Sequence, residues 1–381
     1  MENQNSCCFV AEIKEIKPIE GADKIELAVI NGWNCITQKG NYQAGDLVIC
    51  ATTDAVIPQK LAEDLDVTNY LRSGNRVRTI KLKGVYSECL IIPFSYGNNN
   101  KLKEGSDVMN ILGVFKYEPP AKQIQLASGK KVRYDENPNF HIYYKFPNIK
   151  NVPGIFTEED EVEITRKIHG TNARYGIVKK KKVSLLDRIK IFVSKKFNFL
   201  PESWYWSEYE FVVGSHNVEK GSDSQGFYDT NVWYEIADKY KIEEKLWKAV
   251  RRESVSVIGQ GLILYGEIYG AGIQKNYDYG LKDIKFAGFD VKINGEYEAP
   301  TMSKIIIEII LELPYVKVLY YGEWNQFIQD IFVMNNFIPG TKIPEEGIVI
   351  KHHTGERSKV AKVINPDYSI YSEKKDVGDS H

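Results

Sequence analysis

A lysine beside a glycine turn opens the chemistry of this sequence: Lys167-Ile168-His169-Gly170, continuing into Thr171-Asn172. Further along stand Ser215-His216-Asn217, then Glu267 between Gly266 and Gly270, then Phe289-Asp290. Glu346 follows, ahead of Gly347–Lys351, and last come Lys359 and Lys362. These residue types suit phosphate and nucleotide chemistry. An amine attacks only when neutral, and a free lysine titrates at about 10.4. Positive charge from a metal ion or from Lys359 and Lys362 favours the neutral form of Lys167. The same two lysines suit phosphate oxygens and the charge that builds on a leaving group. Glu267 can accept a ribose hydroxyl or hold a water of a hydrated cation, and Glu346 offers a second acid for either task. Mg²⁺ keeps several of its waters, so two carboxylates suffice. The face of Phe289 suits a purine. Phe286 competes with it: on a regular strand the two point to opposite faces, so one belongs to the core. Asp290 would support the site from beside it. Asn172 can orient a phosphate or ribose through its amide. His169 either contacts the hydration shell of a metal or a pyrophosphate, or braces the loop. Arg174 is a further candidate on the same segment.

Each signature alone is weak. In this order the set resembles the covalent nucleotidyltransferase superfamily of ligases and capping enzymes. The KxHGTN run at Lys167–Asn172 is closer to RNA ligases of the phage nick-sealing and RNA-editing kind, since DNA ligases usually carry Asp where His169 stands. The region ahead of it looks like the OB domain of Naegleria- and Deinococcus-type RNA ligases. The resemblance covers almost the whole chain. It implies that Lys167 takes AMP from ATP, that AMP passes to a 5′-phosphate end, and that a 3′-hydroxyl expels it. It implies ATP and Mg²⁺ or Mn²⁺ as cofactors, with Glu267 and Glu346 on the metal through water. It assigns Glu267, Phe289, Glu346, Asn172, His169 and Asp290 to the nucleotide, and His216 and Asn217 to the substrate end. The implied partner is RNA or an RNA-containing duplex, preferably at a nick.

The sequence departs from the family pattern in three places. Relatives commonly carry Glu before the nucleophile, where this chain has Arg166. Phage-type relatives carry Arg in the second motif, where His216 and Asn217 stand. The last motif usually has lysines two apart, whereas Lys359 and Lys362 are three apart, and Lys362 is the better placed. Two other readings stay open: a guanylyltransferase forming lysyl-GMP, and a non-catalytic nucleic-acid-binding OB protein. Only 19 residues follow Lys362, too few for the trailing OB domain of DNA ligases and capping enzymes. The dedicated N-terminal module and zinc cysteines of NAD⁺-dependent DNA ligases are not visible.

These residues need a scaffold. At 381 residues two domains are expected. Lys plus Arg number 50 and Asp plus Glu 51, so net charge gives no argument for nucleic acid, and local patches must supply it. The five cysteines, Cys7, Cys8, Cys35, Cys50 and Cys89, show no CxxC or zinc-finger spacing. They are expected to be buried thiols in an intracellular protein, cytoplasmic or nuclear alike. No apolar run approaches a membrane span, and a monomer is the default.

The expected fold is α+β, with three segments. Residues 1–118 form an OB-fold β-barrel, from short strands punctuated by glycine turns. Residues 119–138 form a linker, and 139–381 a mixed α/β nucleotidyltransferase domain. Strands are expected at Glu161–Arg166, Leu262–Tyr269, Ile284–Val291, Gly347–Lys351 and Lys359–Ile364, and helices at 184–199, 231–252 and 301–313. The segment Lys179–Lys196 carries eight basic residues and one Asp. It reads as a nucleic-acid clamp, a membrane-surface helix or a solvated face. In the barrel, Trp33, Lys39, Arg72, Arg76, Arg78, Lys81 and Lys83 are candidates for nucleic-acid contact.

Overall fold

A computed structural model describes residues 6–97, 101–117, 137–197, 204, 206–216, 218–220, 231–251, 255, 259–375 and 377. Short strands dominate the first part: β1 (Cys8–Glu12), β2 (Glu15–Pro18), β3 (Ile25–Ile30), β4 (Trp33–Gln38), β5 (Leu47–Thr52), β6 (Ala55–Val56), β7 (Ile80–Leu82), β8 (Val85–Ser87), β9 (Cys89–Pro93) and β10 (Phe115–Lys116). They pair as β1-β5-β9, β2-β3-β4, β6-β10 and β7-β8. Phe9, Ala11, Ile13, Ala28, Ile30, Trp33 and Val48 fill one core between the two three-stranded sheets. Val10, Ile49, Ala51 and Ile92 face the other way, into a second core with Leu61 of α1 (Gln59–Asp64) and Val108, which precedes α2 (Met109–Leu112). The middle sheet is thus apolar on both faces, as its near-continuous apolar strands require. All five cysteines are buried free thiols.

The second part is built on two antiparallel sheets. The larger has the order β14-β13-β12-β15-β16-β17, from β12 (Thr171–Lys179), β13 (Tyr209–Gly214), β14 (Glu219–Lys220), β15 (Gly261–Gly270), β16 (Ile284–Ile293) and β17 (Glu296–Tyr297). The smaller has the order β18-β11-β19-β20, from β11 (Glu161–Lys167), β18 (Val318–Glu323), β19 (Gly347–His352) and β20 (Val360–Ile364). One face of the larger sheet buries Tyr175, Ile177, Leu262 and Leu264 against two helices, α4 (Val232–Lys239) and α5 (Ile242–Arg251). The other face is covered by Phe140 and Tyr143.

The helices depart from expectation in two places. The single helix expected at 231–252 breaks at Lys241, which takes a left-handed φ of 52°. The break lets α5 pack back beside α4. The helix expected at 301–313 runs as α6 (Pro300–Ile305) and then widens to a π-turn at Ile306–Ile310. Both Ile306 and Ile307 are buried in the turn. Helix α3 (Leu185–Lys196) forms as expected, N-capped by Ser184, which accepts from the Asp187 N–H. Helices α7 (Gln326–Val333) and α8 (Pro366–Lys375) complete the fold. Among the described residues, no helix is long and apolar enough to cross a membrane.

Candidate active site

The two large sheets meet at the candidate nucleophile. β11 ends at Lys167 and β12 begins at Thr171, so three residues carry the chain from one sheet to the other. Lys167 pairs with Gly347 at the start of β19, which puts Glu346 beside the amine. Lys167 Nζ donates to Glu346 Oε1 at 2.6 Å. Gly347 sits at φ 151°, where a Cβ would lie 2.0 Å from the Val363 carbonyl, so only glycine lets β19 start this close to β20. One residue upstream, Arg166 pairs with the buried Glu345 at 2.6 Å. The unusual Arg166 therefore has an ionic partner within the site wall, one the sequence did not single out.

Glu267 enters from the larger sheet, directly across the β12–β15 ladder from Asn172. Gly170 lets the loop close on β15: a Cβ there would lie 2.2 Å from the Ile268 carbonyl and 2.9 Å from Glu267 Cγ. Burial pushes the Glu267 carboxyl up to about 8; Lys167 opposes this, Glu346 reinforces it, and the Gly170 backbone hydrogen bond opposes it. An unfolded glutamate titrates at about 4.3. Between these limits the folded protein holds a proton the unfolded chain has lost, so stability falls as pH rises from about 4.3 to about 8. In metal-free, nucleotide-free protein, Glu267→Gln should abolish that part of the decline. Thermal melts across this range would show the variant gaining on the parent as pH rises. Parallel curves would contradict the assignment.

The last two lysines separate. Lys362 lies within β20 opposite Val349, and its ammonium is held below the usual lysine range by burial and then by Lys167. Lys359 instead donates to Asp160 Oδ1 at 2.6 Å. An odd spacing of three sends the two side chains to opposite faces of an extended chain. The expectation that both serve the pocket therefore fails for Lys359.

His169 is buried. Its backbone N–H donates to the Tyr279 hydroxyl at 2.6 Å, and its Nδ1 shares a 3.0 Å hydrogen bond with the Tyr368 hydroxyl. Nδ1 also lies 3.9 Å from Glu346 Oε2. Gln274 Nε2 donates to the Gly170 carbonyl at 2.5 Å. Gln274, Tyr279 and Tyr368 were not foreseen, since each lies on the order of a hundred or more residues from the loop it braces and carries no local signal.

Phe286 is core, packed on Tyr175 and Tyr240. Phe289 is half-buried at a β-bulge, where pairing shifts between Tyr265 and Gly266, and its ring lies 4.9 Å from that of Tyr143. The bulge breaks the simple alternation. Asp290 is fully buried and works as an ionic hub. It accepts from Tyr143 at 2.9 Å, Ser303 at 3.1 Å, Lys351 at 3.1 Å and Arg357 at 2.8 Å. Burial raises its pKa, but Lys351 and Arg357 outweigh burial and hold it below the usual carboxylate range. Asp290→Ala would strand those cations and should cost about 3–5 kcal/mol of stability, readable in urea melts. A loss below about 1 kcal/mol would refute the hub.

Arg174 is not available to a ligand. It is buried, donating to the Phe140 carbonyl at 2.5 Å and the Ser215 carbonyl at 2.8 Å. The β12–β13 ladder ends at the pair Arg174 and Gly214, and His216 lies in the turn that leads from β13 to β14. Asn217 lies outside the described residues. The basic helix α3 leaves the far end of β12, so it stands away from Lys167, and none of its residues is buried.

The barrel candidates divide as well. Trp33 is buried, its Nε1–H donating to Asn151 at 3.0 Å, and it is not an open stacking platform. Arg76 holds the Thr53 carbonyl at 3.1 Å and Arg78 pairs with Glu373 at 3.2 Å. Lys81 donates to the Tyr86 hydroxyl at 2.8 Å, and Arg72 is half-buried. Lys39 and Lys83 are exposed.

The implied metal and nucleotide can be tested against the side chains. Glu346 Oε2 and Asn172 Oδ1 are buried acceptors with no hydrogen-bond partner in the protein. Among the described residues no group of three or more His, Cys, Asp or Glu forms a closed cage. Two carboxylates and orphaned acceptors around an amine fit a cation that keeps its waters, or a ribose, and do not fit a fully caged ion.

A family model for RNA ligase matches residues 160–364, more than half of the chain, and spans Lys167, Glu267, Glu346 and Lys362. The chain belongs to the RNA ligase family. An OB-fold domain model matches residues 8–94, the first barrel. Solved structures of Naegleria gruberi RNA ligase share the fold of this RNA ligase from end to end. An apo mutant matches with a TM-score of 0.70 at 22% identity, covering 97% of this chain and 98% of that one. The form with PPi matches at 0.70 and 21%, covering 98% and 99%. A mutant with ATP and Mn matches at 0.69 and 22%, covering 98% and 99%. Comparison with curated protein sequences gives no match.

Proposed function

We propose that this RNA ligase is ATP-dependent and joins a 3′-hydroxyl RNA end to a 5′-phosphate end, at nicks in duplex, through a lysyl-AMP on Lys167 and an adenylylated 5′ end. Residues 1–118 serve as the OB domain, 119–138 as the connection and 139–381 as the catalytic domain. The observation that carries the reading is the grouping of one amine, two carboxylates and a second, half-buried amine: Lys167 Nζ is 2.6 Å from Glu346, beside Glu267 and Lys362. The Naegleria structures solved with ATP and Mn support the choice of nucleotide and a divalent cation.

Glu346 at 2.6 Å stabilises the charged, unreactive ammonium of Lys167, while Lys362 favours the neutral amine. Glu346 and Glu267 would hold a hydrated Mg²⁺ or Mn²⁺, which would supply positive charge for the phosphates. In the first step the neutral amine forms a bond to the α-phosphorus, the bond to the bridging oxygen breaks, and pyrophosphate leaves with its charge facing Lys362. Glu346 is positioned to take the amine proton. Asn172 and Glu267, opposite each other on one face, would take the ribose and α-phosphate, Phe289 the adenine, and His216 the substrate end.

Incubation with labelled ATP or GTP and Mg²⁺ or Mn²⁺, followed by a denaturing gel and mass mapping, tests the reading. An acid-labile AMP adduct on Lys167, discharged on adding nicked duplex with an RNA 3′-hydroxyl, is expected. A GMP adduct would move the chain to capping chemistry, and no adduct from folded protein would leave a nucleic-acid binder.

A further inference from the structure

The residues around Lys167 are backed by the first turn of α8. Asn365, fully buried, caps that turn: its Oδ1 accepts the Asp367 N–H at 2.9 Å. Its own backbone N–H donates to the Glu346 carbonyl at 2.9 Å, and its Nδ2 to the Asn336 carbonyl at 3.2 Å. Tyr368 shares its hydrogen bond with His169 Nδ1, the two rings 5.3 Å apart. Asp367, one residue before, faces the barrel and accepts the Tyr86 hydroxyl at 2.6 Å, the same phenol oxygen that receives Lys81 at 2.8 Å. Near the end of the helix Glu373 takes Arg78 of the barrel at 3.2 Å. Successive residues of a helix point ~100° apart, so neighbouring side chains on one turn reach two different bodies.

We propose that Tyr368 is a positioning residue for the Lys167–Asn172 loop, and that α8 passes the docking of the OB barrel to His169 and Glu346. Tyr368 sets the orientation and tautomer of His169. Asn365 sets the backbone from which Glu346 reaches Lys167. Tyr86 and Arg78 hold the helix that carries both. A barrel that undocks during substrate exchange would release His169 and shift Glu346 together, tying nucleotide chemistry to barrel position. The kinetic part of this proposal rests on the lysyl-AMP reading above; the contact network does not.

The test uses Tyr368→Phe, Tyr86→Phe and the double variant in the full chain. Each removes one hydroxyl and keeps the ring, and melting curves check that the fold is retained. Single-turnover formation of the AMP adduct is followed across ATP concentrations. Tyr368→Phe should lower the maximal rate about tenfold, with the ATP concentration for half-maximal rate held within about twofold. Tyr86→Phe should lower it about threefold, and the double variant no further than Tyr368→Phe alone, as coupled residues require. An unchanged maximal rate in Tyr368→Phe, or losses that multiply, would overturn the proposal. A second readout needs no catalysis. The chain has six histidines, so the imidazole nitrogens of His169 can be assigned by NMR with a His169→Gln control. In Tyr368→Phe they should move toward the tautomer mixture of a free imidazole, and in Tyr86→Phe the same way by less. A His169 signal indifferent to Tyr86→Phe would refute the coupling even in an enzyme that forms the adduct. A parent protein that forms no adduct, with both variants showing the shift, would refute the ligase chemistry and leave the coupling standing.

Discussion

Lys167→Ala should leave no AMP adduct and lower overall sealing at least about a thousandfold, as loss of a covalent nucleophile does elsewhere. Neither of the two other candidate amines is free to substitute: Lys362 is half-buried within β20 opposite Val349, and Lys359 is tied to Asp160 at 2.6 Å. The variant should nonetheless seal a duplex whose 5′ end is already adenylylated, because that step needs the rest of the pocket and not the amine. The pair of results separates loss of the nucleophile from loss of the fold. Removing the amine also leaves Glu346, buried, without its 2.6 Å partner, so the melting temperature should fall while the later step persists. An adduct that survives in Lys167→Ala, mapped to another lysine, would overturn the assignment.

The second large effect discriminates between the two lysines of the last motif. Lys362→Met should lower adduct formation by about 10²–10³-fold, the range for removing a charge aimed at a developing anion. Its thermal midpoint should hold or rise, because the half-buried ammonium beside Lys167 works against folding. Lys359→Met should stay within about threefold of the parent in rate. It loses a partly exposed ion pair with Asp160, worth roughly 1 kcal/mol or less. Equal losses in the two variants would mean that Lys359 reaches the phosphates in the working enzyme.

Much of the catalytic half was legible because its signals are local. Lys167 to Asn172 form a strand–turn–strand with a glycine at the closing point, and such chemistry is written in consecutive residues. Glu267 and Glu346 carry glycine neighbours, Glu267 within an apolar strand and Glu346 just ahead of one. Helix α3 announced itself through its spacing, and the structure adds its Ser184 cap. Other readings failed where the deciding contact is remote. Arg174 looked like a ligand of the nucleophile segment, yet it clamps the Phe140 and Ser215 carbonyls across the sheet. Trp33 looked like a stacking surface, yet Asn151 and Lys150 cover it. The break at Lys241 and the π-turn at Ile306–Ile310 interrupt patterns that read as continuous helices. Packing, not local propensity, sets those bends.

By itself the sequence determined the order of the chemistry-bearing residues, the β-rich barrel ahead of them and the glycines that let strands meet closely. These follow from residue type and short spacing, which act over a few bonds. Tertiary structure alone decided that Lys359 pairs with Asp160, that Arg166 has Glu345, that Phe286 is core while Phe289 sits at a bulge, and that Tyr368 holds His169. Each of those outcomes depends on strand register, a bulge or a contact across many residues. Such contacts form only when distant segments are packed at fixed distance and orientation, and nothing in the spacing of neighbouring residues encodes them.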